Sequence, residues 1–294
     1  MNVPGEIDVR EFHASRRFAE LPLGRIAYVE RGKGPAALFL HGYPLNSFQW
    51  RGALARLAGH RRCIAVDFMG LGYSEIPESQ DLSPQSQVDM LAALLHVLSV
   101  DSVDLIANDS GGAVAQLFAA KYPERVRTLL LTNCDVHTNS PPPAFQPFME
   151  LARAGLLADR LIVPQLADKA SARSPEGLGG LAYTEPASLT DELVECYFSP
   201  LVSSPLRKSQ FNRYAVAFEP NPLPAIEPAL KRFGAPVRIV WGMGDTTFFD
   251  VSWADWLDRT FRHSRGVRRV ERANLFFPEE MPDLIAEELL ALWS

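Results

Sequence analysis

The apolar residues of this chain fall into short β-branched runs that alternate with longer stretches of helical period, and that alternation narrows the fold more than any other feature. Short, continuously apolar runs suit strands buried on both faces, and parallel neighbours need a helical crossover between them. The expected strands are 36–40, 63–68, 102–107, 126–132, 237–241 and 266–271, with 7–13 and 25–29 as an antiparallel leading pair. The expected helices are 85–98, 112–121, 251–261 and 279–293. In the last of these Leu284, Ile285, Leu289 and Leu292 form one stripe, as in a helix laid on a sheet. The pattern predicts an α/β architecture, a mostly parallel central sheet flanked by helices.

The alternation stops after 126–133 and resumes at Pro236. The interval opens with Ser140-Pro141-Pro142-Pro143, carries helical stretches at 148–158, 189–197 and 210–218, and has no strand run. We expect a core made of 1–135 and 231–294, with an inserted helical cap over 136–230. A length of 294 residues fits one large domain with an insertion, given roughly 100–200 residues per domain.

Composition removes several function classes. The chain is 47% hydrophobic and 22% charged, with net charge −6, so no broad positive surface invites nucleic acid or anionic lipid. The basic run at 262–269 reads as a solvated loop before a strand. Cys63, Cys134 and Cys196 are odd in number and widely spaced, against a disulfide framework or a C-x-x-C site, and are expected to be reduced and mostly buried. Glu6, Asp8 and Arg10 interrupt any signal-peptide core, and no window reaches the roughly 18 apolar residues of a membrane span. A cytoplasmic monomer or homodimer is the expectation. With no glycine-rich phosphate loop and no metal-spaced His/Cys set, neither a cofactor nor a metal is expected.

The chemistry concentrates in Val103-Asp104-Leu105-Ile106-Ala107-Asn108-Asp109-Ser110-Gly111-Gly112. A buried strand runs into a helix through small residues on both sides of Asp109, the form of a nucleophile elbow with Asp in place of Ser. The free N–H groups of the following helix would stabilise an anion there. An aspartate before a helix is equally a favoured N-cap, and the local sequence leaves both roles open. Two further bends accompany it. Leu40-His41-Gly42-Tyr43-Pro44 ends a strand with the main-chain N–H of Tyr43 placed for an oxyanion, and Asp67-Phe68-Met69-Gly70-Leu71-Gly72-Tyr73-Ser74 ends the next with glycines.

These segments, with Trp241-Gly242 and Asp245, occur in the order and spacing of the α/β-hydrolase superfamily, which the chain resembles over nearly its whole length. The aspartate in the elbow resembles the epoxide hydrolase and haloalkane dehalogenase branch. The resemblance implies that Asp109 attacks a saturated carbon to form an ester, which water activated by a histidine then hydrolyses. It implies an oxyanion hole from the N–H groups of Tyr43 and Ser110, and Asp245 as the residue that orients the base.

The resemblance also implies a histidine in the loop after the final strand. Here the positions are Asn274 and Leu275, and neither exchanges a proton near neutral pH. Of the six histidines, His13, His60, His96 and His263 fall away from the sheet's carboxyl edge, and His41 belongs to the oxyanion loop. That leaves His137, which Asp135 could orient, as a relocated base, or else as a hinge histidine with local hydrogen bonds.

Dehalogenases of this branch use a tryptophan directly after the nucleophile, where this chain has Ser110. Epoxide opening uses a lid tyrosine, which Tyr214 resembles, with Tyr183 and Tyr197 as companions. His41, Trp50, Tyr214, Tyr183, Phe145 and Phe148 are the expected substrate contacts. The partner is then a small apolar organic substrate. Hydrolysis resembling that of epoxide hydrolases is the first expectation. A lyase, isomerase or cyclase using Asp109 as general base, or a catalytically silent binding protein, stands beside it.

Overall fold

The computed structural model describes residues 8–294. Eight strands form one sheet: β1 (Arg17–Leu21), β2 (Gly24–Arg31), β3 (Ala36–Leu40), β4 (Arg62–Val66), β5 (Val103–Asp109), β6 (Val126–Cys134), β7 (Val237–Gly242) and β8 (Ser264–Val270). Their spatial order is β1-β2-β4-β3-β5-β6-β7-β8. β1 and β2 run antiparallel, and every pair from β4 to β8 is parallel. All residues of β3 and β5 are buried, as strands covered on both faces must be. This is the mostly parallel, helix-flanked architecture that the alternating pattern predicts.

The helices are α1 (Val9–Ser15), α2 (Arg51–Leu57), α3 (Pro84–Val97), α4 (Ser110–Lys121), α5 (Gln146–Arg153), α6 (Val163–Ala167), α7 (Leu178–Ala182), α8 (Asp191–Val202), α9 (Pro205–Val216), α10 (Leu223–Arg232), α11 (Ser252–Thr260), α12 (Phe277–Glu280) and α13 (Pro282–Trp293). Everything between β6 and β7 is helix, turn or loop, including a π-helical turn at Ala158–Ile162. The last of this group, α10, packs on α4 and α11 beside the sheet.

The expected strand at 7–13 is corrected: from Val9 the chain is helical, and Ile7 lies outside the described residues. Asp8 caps that helix by accepting from the N–H of Glu11 at 2.8 Å, and Phe12 alone is buried on its inner face. β1 takes the antiparallel place instead. The basic run is also displaced, because β8 begins at Ser264 and holds Arg265, Arg268 and Arg269 on a strand at the sheet's edge. Arg268 pairs with Glu288 and Arg269 with Asp255. The three cysteines are buried and unbridged. No helix among the described residues is long and apolar enough to cross a membrane.

Candidate active site

Chain order reverses between β3 and β5, because the chain goes from β3 outward to β4 and then returns to the far side of β3. The crevice at the carboxyl ends of strands beside such a switch is where α/β sheets bind ligands. Here β3 delivers Tyr43 and β5 delivers Asp109 to that crevice.

Asp109 sits at φ 53° and ψ −132°, a conformation that costs a non-glycine residue on the order of 1–3 kcal/mol. Its side chain makes no capping bond to α4. Instead Oδ2 accepts from the N–H of Tyr43 at 2.6 Å, and the Ser110 N–H also supports its charge. The N-cap reading therefore gives way to a carboxylate turned toward the β3 loop. Gly42 makes this approach feasible: a Cβ there would lie 2.7 Å from Asp109 Cβ and 2.8 Å from its Oδ2. Gly111 does the same for α4, since its Cβ would lie 2.6 Å from the His41 carbonyl oxygen.

A hydrogen-bonded chain fixes these loops. The Gly42 N–H donates to Gln49 Oε1, and Gln49 Nε2 donates to Asn108 Oδ1. Asn108 Nδ2 donates to Thr132 Oγ1 and to the carbonyls of Asn133 and Leu275. One amide next to Asp109 thus ties the end of β6 to the segments that follow β3 and β8. Nothing in the sequence marks Gln49 and Asn108 for this role, because an amide side chain gives no signal of a partner 59 residues away.

Above the elbow lies a cavity of about 100 Å³, floored by Asp109, Ser110 and Asp135 and roofed by side chains such as Phe145, Phe148, Phe198 and Phe218. Tyr214 closes one side. Its ring stacks on Tyr43 at 5.6 Å, and its hydroxyl lies 3.3 Å from Ser110 Oγ. The Tyr43 hydroxyl is buried and has no hydrogen-bond partner. Apart from Gln165 the rest of the wall is apolar, as in most small-molecule sites.

Burial raises Asp109 well above the usual carboxylate range, and nearby Asp135 adds to the effect, while the amides of Tyr43 and Ser110 oppose it. Burial also pushes Asp135 up to about 7. Two buried carboxyls on one floor resist double ionisation.

Comparison with known proteins agrees with this geometry. A family profile described as alpha/beta hydrolase fold matches residues 35–169. The chain has the α/β-hydrolase fold. Haloalkane dehalogenase 2 of Mycobacterium tuberculosis is 25% identical, with 99% of each chain covered. A cis-3-alkyl-4-alkyloxetan-2-one decarboxylase of Shewanella oneidensis is 32% identical over 121 residues, covering 40% of this chain and 38% of that protein. The solved epoxide hydrolase CorEH superposes with a TM-score of 0.74 at 22% identity, covering 95% of this chain and 98% of that one, a likeness of fold.

Within this hydrolase frame, the expected site residues divide. Asp109, Ser110, Tyr43, Tyr214, Phe145 and Phe148 all line the cavity. The structure does not bring His41, Trp50, Tyr183, Asp245 or His137 to it. His41 is fully buried, with Nδ1 bonded to the Gly42 carbonyl and Nε2 accepting from the Phe68 N–H, and burial lowers its pKa. It holds the β3 and β4 loops together. Trp50 is buried against Phe39 of β3. The Tyr183 hydroxyl donates to Glu279 Oε2 at 2.6 Å, where Tyr197 and Arg51 also converge.

His137 faces outward, with Nε2 3.2 Å from Glu227 Oε2 and its ring against Trp256. That is the hinge reading, and the relocated-base expectation is corrected. Asp245 binds Asn133 Nδ2 at 3.2 Å and the Phe248 N–H at 3.0 Å, so it braces its own loop. Leu275 lines the cavity where the superfamily's histidine is expected, while Asn274 bonds to Thr184 and to the carbonyls of Leu181 and Tyr183. No histidine lines the cavity among the described residues. Nor does any group of three or more His, Cys, Asp or Glu there stand ready to hold a metal ion.

Proposed function

We propose that this hydrolase-fold enzyme acts on a small apolar substrate through Asp109, opening an epoxide in the manner of the epoxide hydrolase branch. The observation that carries this reading is the Asp109 carboxylate, held by the Tyr43 N–H and supported by the Ser110 N–H on the floor of an apolar cavity. In this account one carboxylate oxygen attacks ring carbon, the carbon–oxygen bond breaks, and an alkyl ester of Asp109 results. The same two N–H groups then stabilise the oxyanion that forms when water adds to the ester. The Tyr43 and Tyr214 hydroxyls receive the ring oxygen as hydrogen-bond donors. The helices between β6 and β7 act as a lid that excludes bulk water.

Epoxide chemistry is favoured over dehalogenation because Ser110 replaces the tryptophan that would hold a halide, while two phenols stand ready for an oxygen. A screen of epoxides, haloalkanes and activated esters against wild type and Asp109→Asn tests the proposal. Epoxide turnover that vanishes in Asp109→Asn supports it; equal turnover by both proteins refutes it.

The histidine-free cavity favours one second reading, a non-hydrolytic reaction in which Asp109 moves a proton during isomerisation or elimination. Products isomeric with the substrate would support that reading, and diols would exclude it.

A further inference from the structure

We propose that Asp135 performs the proton transfers that the superfamily assigns to histidine, working with Asp109 as a carboxyl pair that carries one proton through the cycle. The inference rests on the reading of Asp109 as nucleophile and deepens it. β6 pairs with β5 so that Cys134 stands opposite Asp109, and the next residue, Asp135, reaches the same cavity floor. Gln116 anchors its carbonyl oxygen at 2.7 Å. Its side chain is buried.

Of the groups facing the pair, Asp245 is the other carboxyl, and it is held by Asn133 and the Phe248 N–H outside the cavity lining. Around the pair stand Tyr43 from the β3 loop, Cys134 from β6, Asp245 from the β7 loop and Tyr214 from α9. Neither carboxyl has a cation among its electrostatic partners. Burial raises Tyr43, Tyr214 and Cys134, so all three keep their protons and can only donate hydrogen bonds. Asp135, pushed up to about 7 by burial, is poised to give and take a proton near neutral pH. In the reactive form of the pair the shared proton is on Asp135 and the charge on Asp109, where the Tyr43 and Ser110 N–H groups and the N-terminus of α4 oppose the rise that burial imposes. The buried, unpartnered Tyr43 hydroxyl in the same wall marks where a ligand oxygen is received.

The cycle balances without any further reagent. Asp109 carboxylate bonds to ring carbon, the carbon–oxygen bond breaks, and the alkoxide takes the proton of Asp135. The Asp135 carboxylate next withdraws a proton from water, whose oxygen bonds to Cγ of the ester. Collapse breaks the Cγ–alkoxy bond, and the departing alkoxide recovers the proton from Asp135. The diol leaves, and one proton remains on the pair, as at the start.

The test compares Asp135→Asn, Asp135→Glu and wild type with styrene oxide and n-bromohexane, using intact-protein mass spectrometry and product release. Bromide departs without a proton, so Asp135→Asn forms the hexyl ester at the wild-type rate; in wild type Asp135 then loses its proton to solvent and acts as base, whereas the variant hydrolyses the ester roughly 100-fold more slowly, and the ester accumulates. With styrene oxide, ester formation slows as well. Asp135→Glu restores part of both steps, and the alkaline fall in wild-type epoxide turnover near pH 7 is missing in Asp135→Asn.

Hydrolysis by Asp135→Asn within twofold of wild type would overturn the role of Asp135 and leave the Asp109 reading intact. Equal loss of ester formation with both probes, in a variant that melts like wild type, would also overturn it by pointing to a structural role. No ester and no product in wild type with either probe would overturn the Asp109 reading and this inference with it.

Discussion

Asp135→Asn also has a consequence for stability that needs no substrate. A carboxyl moved from 3.8 to about 7 binds its proton more tightly in the folded chain than in the unfolded one. Folding therefore carries a penalty that is absent below about pH 4, grows through the interval, and is complete above about pH 7. At about 1.4 kcal/mol per pH unit the whole interval is worth on the order of 4 kcal/mol, and the part between pH 5 and pH 8.5 roughly 2–3 kcal/mol. Asparagine cannot ionise, so the variant should gain that amount relative to wild type as pH rises from 5 to 8.5. Urea denaturation followed by tryptophan fluorescence at several pH values reads the difference directly. Asp109→Asn removes a second carboxyl that burial raises and should likewise reduce the pH slope. Parallel stability curves for wild type and Asp135→Asn, or a gain for wild type as pH rises, would refute the reasoning.

Other expectations follow from single contacts. Gly42→Ala places a methyl 2.7 Å from Asp109 Cβ, so thermal melts should show a loss of about 1–3 kcal/mol, with turnover lost as the Tyr43 N–H is forced away. Tyr214→Phe should slow styrene oxide turnover by roughly 10- to 100-fold, while ester formation from n-bromohexane, which needs no oxygen donor, stays unchanged in a stopped-flow assay. Glu279→Ala leaves Arg51 with no counter-charge and strips Tyr183 and Tyr197 of their acceptor. Denaturant titration should show a loss of about 3 kcal/mol, with faster proteolysis of the α7–α8 region.

Much of the fold was legible because strands buried on both faces write themselves as continuous apolar runs. β3 falls on 36–40 as expected, and β5 and β6 extend the expected runs by only two residues at their carboxyl ends. The leading segment misled because Val9–Ser15 is short and buries Phe12 alone, a pattern that strand and helix share. Asp109, Tyr43 and Ser110 were legible because an elbow needs small residues at fixed spacing, and the local chain sets that geometry.

The misplaced residues share a different cause. Tyr183 and Trp50 carry no local sign of which way they face, and Glu279, the partner of Tyr183, is remote in sequence. His137 was singled out for its residue type, yet its left-handed φ of 47° and its pairing with Glu227 arise from packing beside α10 and α11. Asp135 was visible only as a helper for that histidine. Its place beside Asp109 depends on the register of β6 against β5, which no local pattern encodes.

The central claim is that Asp109 becomes covalently esterified and is freed by water attacking its own carboxyl carbon. A single turnover of styrene oxide by excess enzyme in water enriched with heavy oxygen tests it, followed by peptide mapping and product analysis. The account predicts heavy oxygen in the Asp109 side chain and ordinary oxygen in the first diol released. Heavy oxygen in that first diol, with none in Asp109, would contradict it.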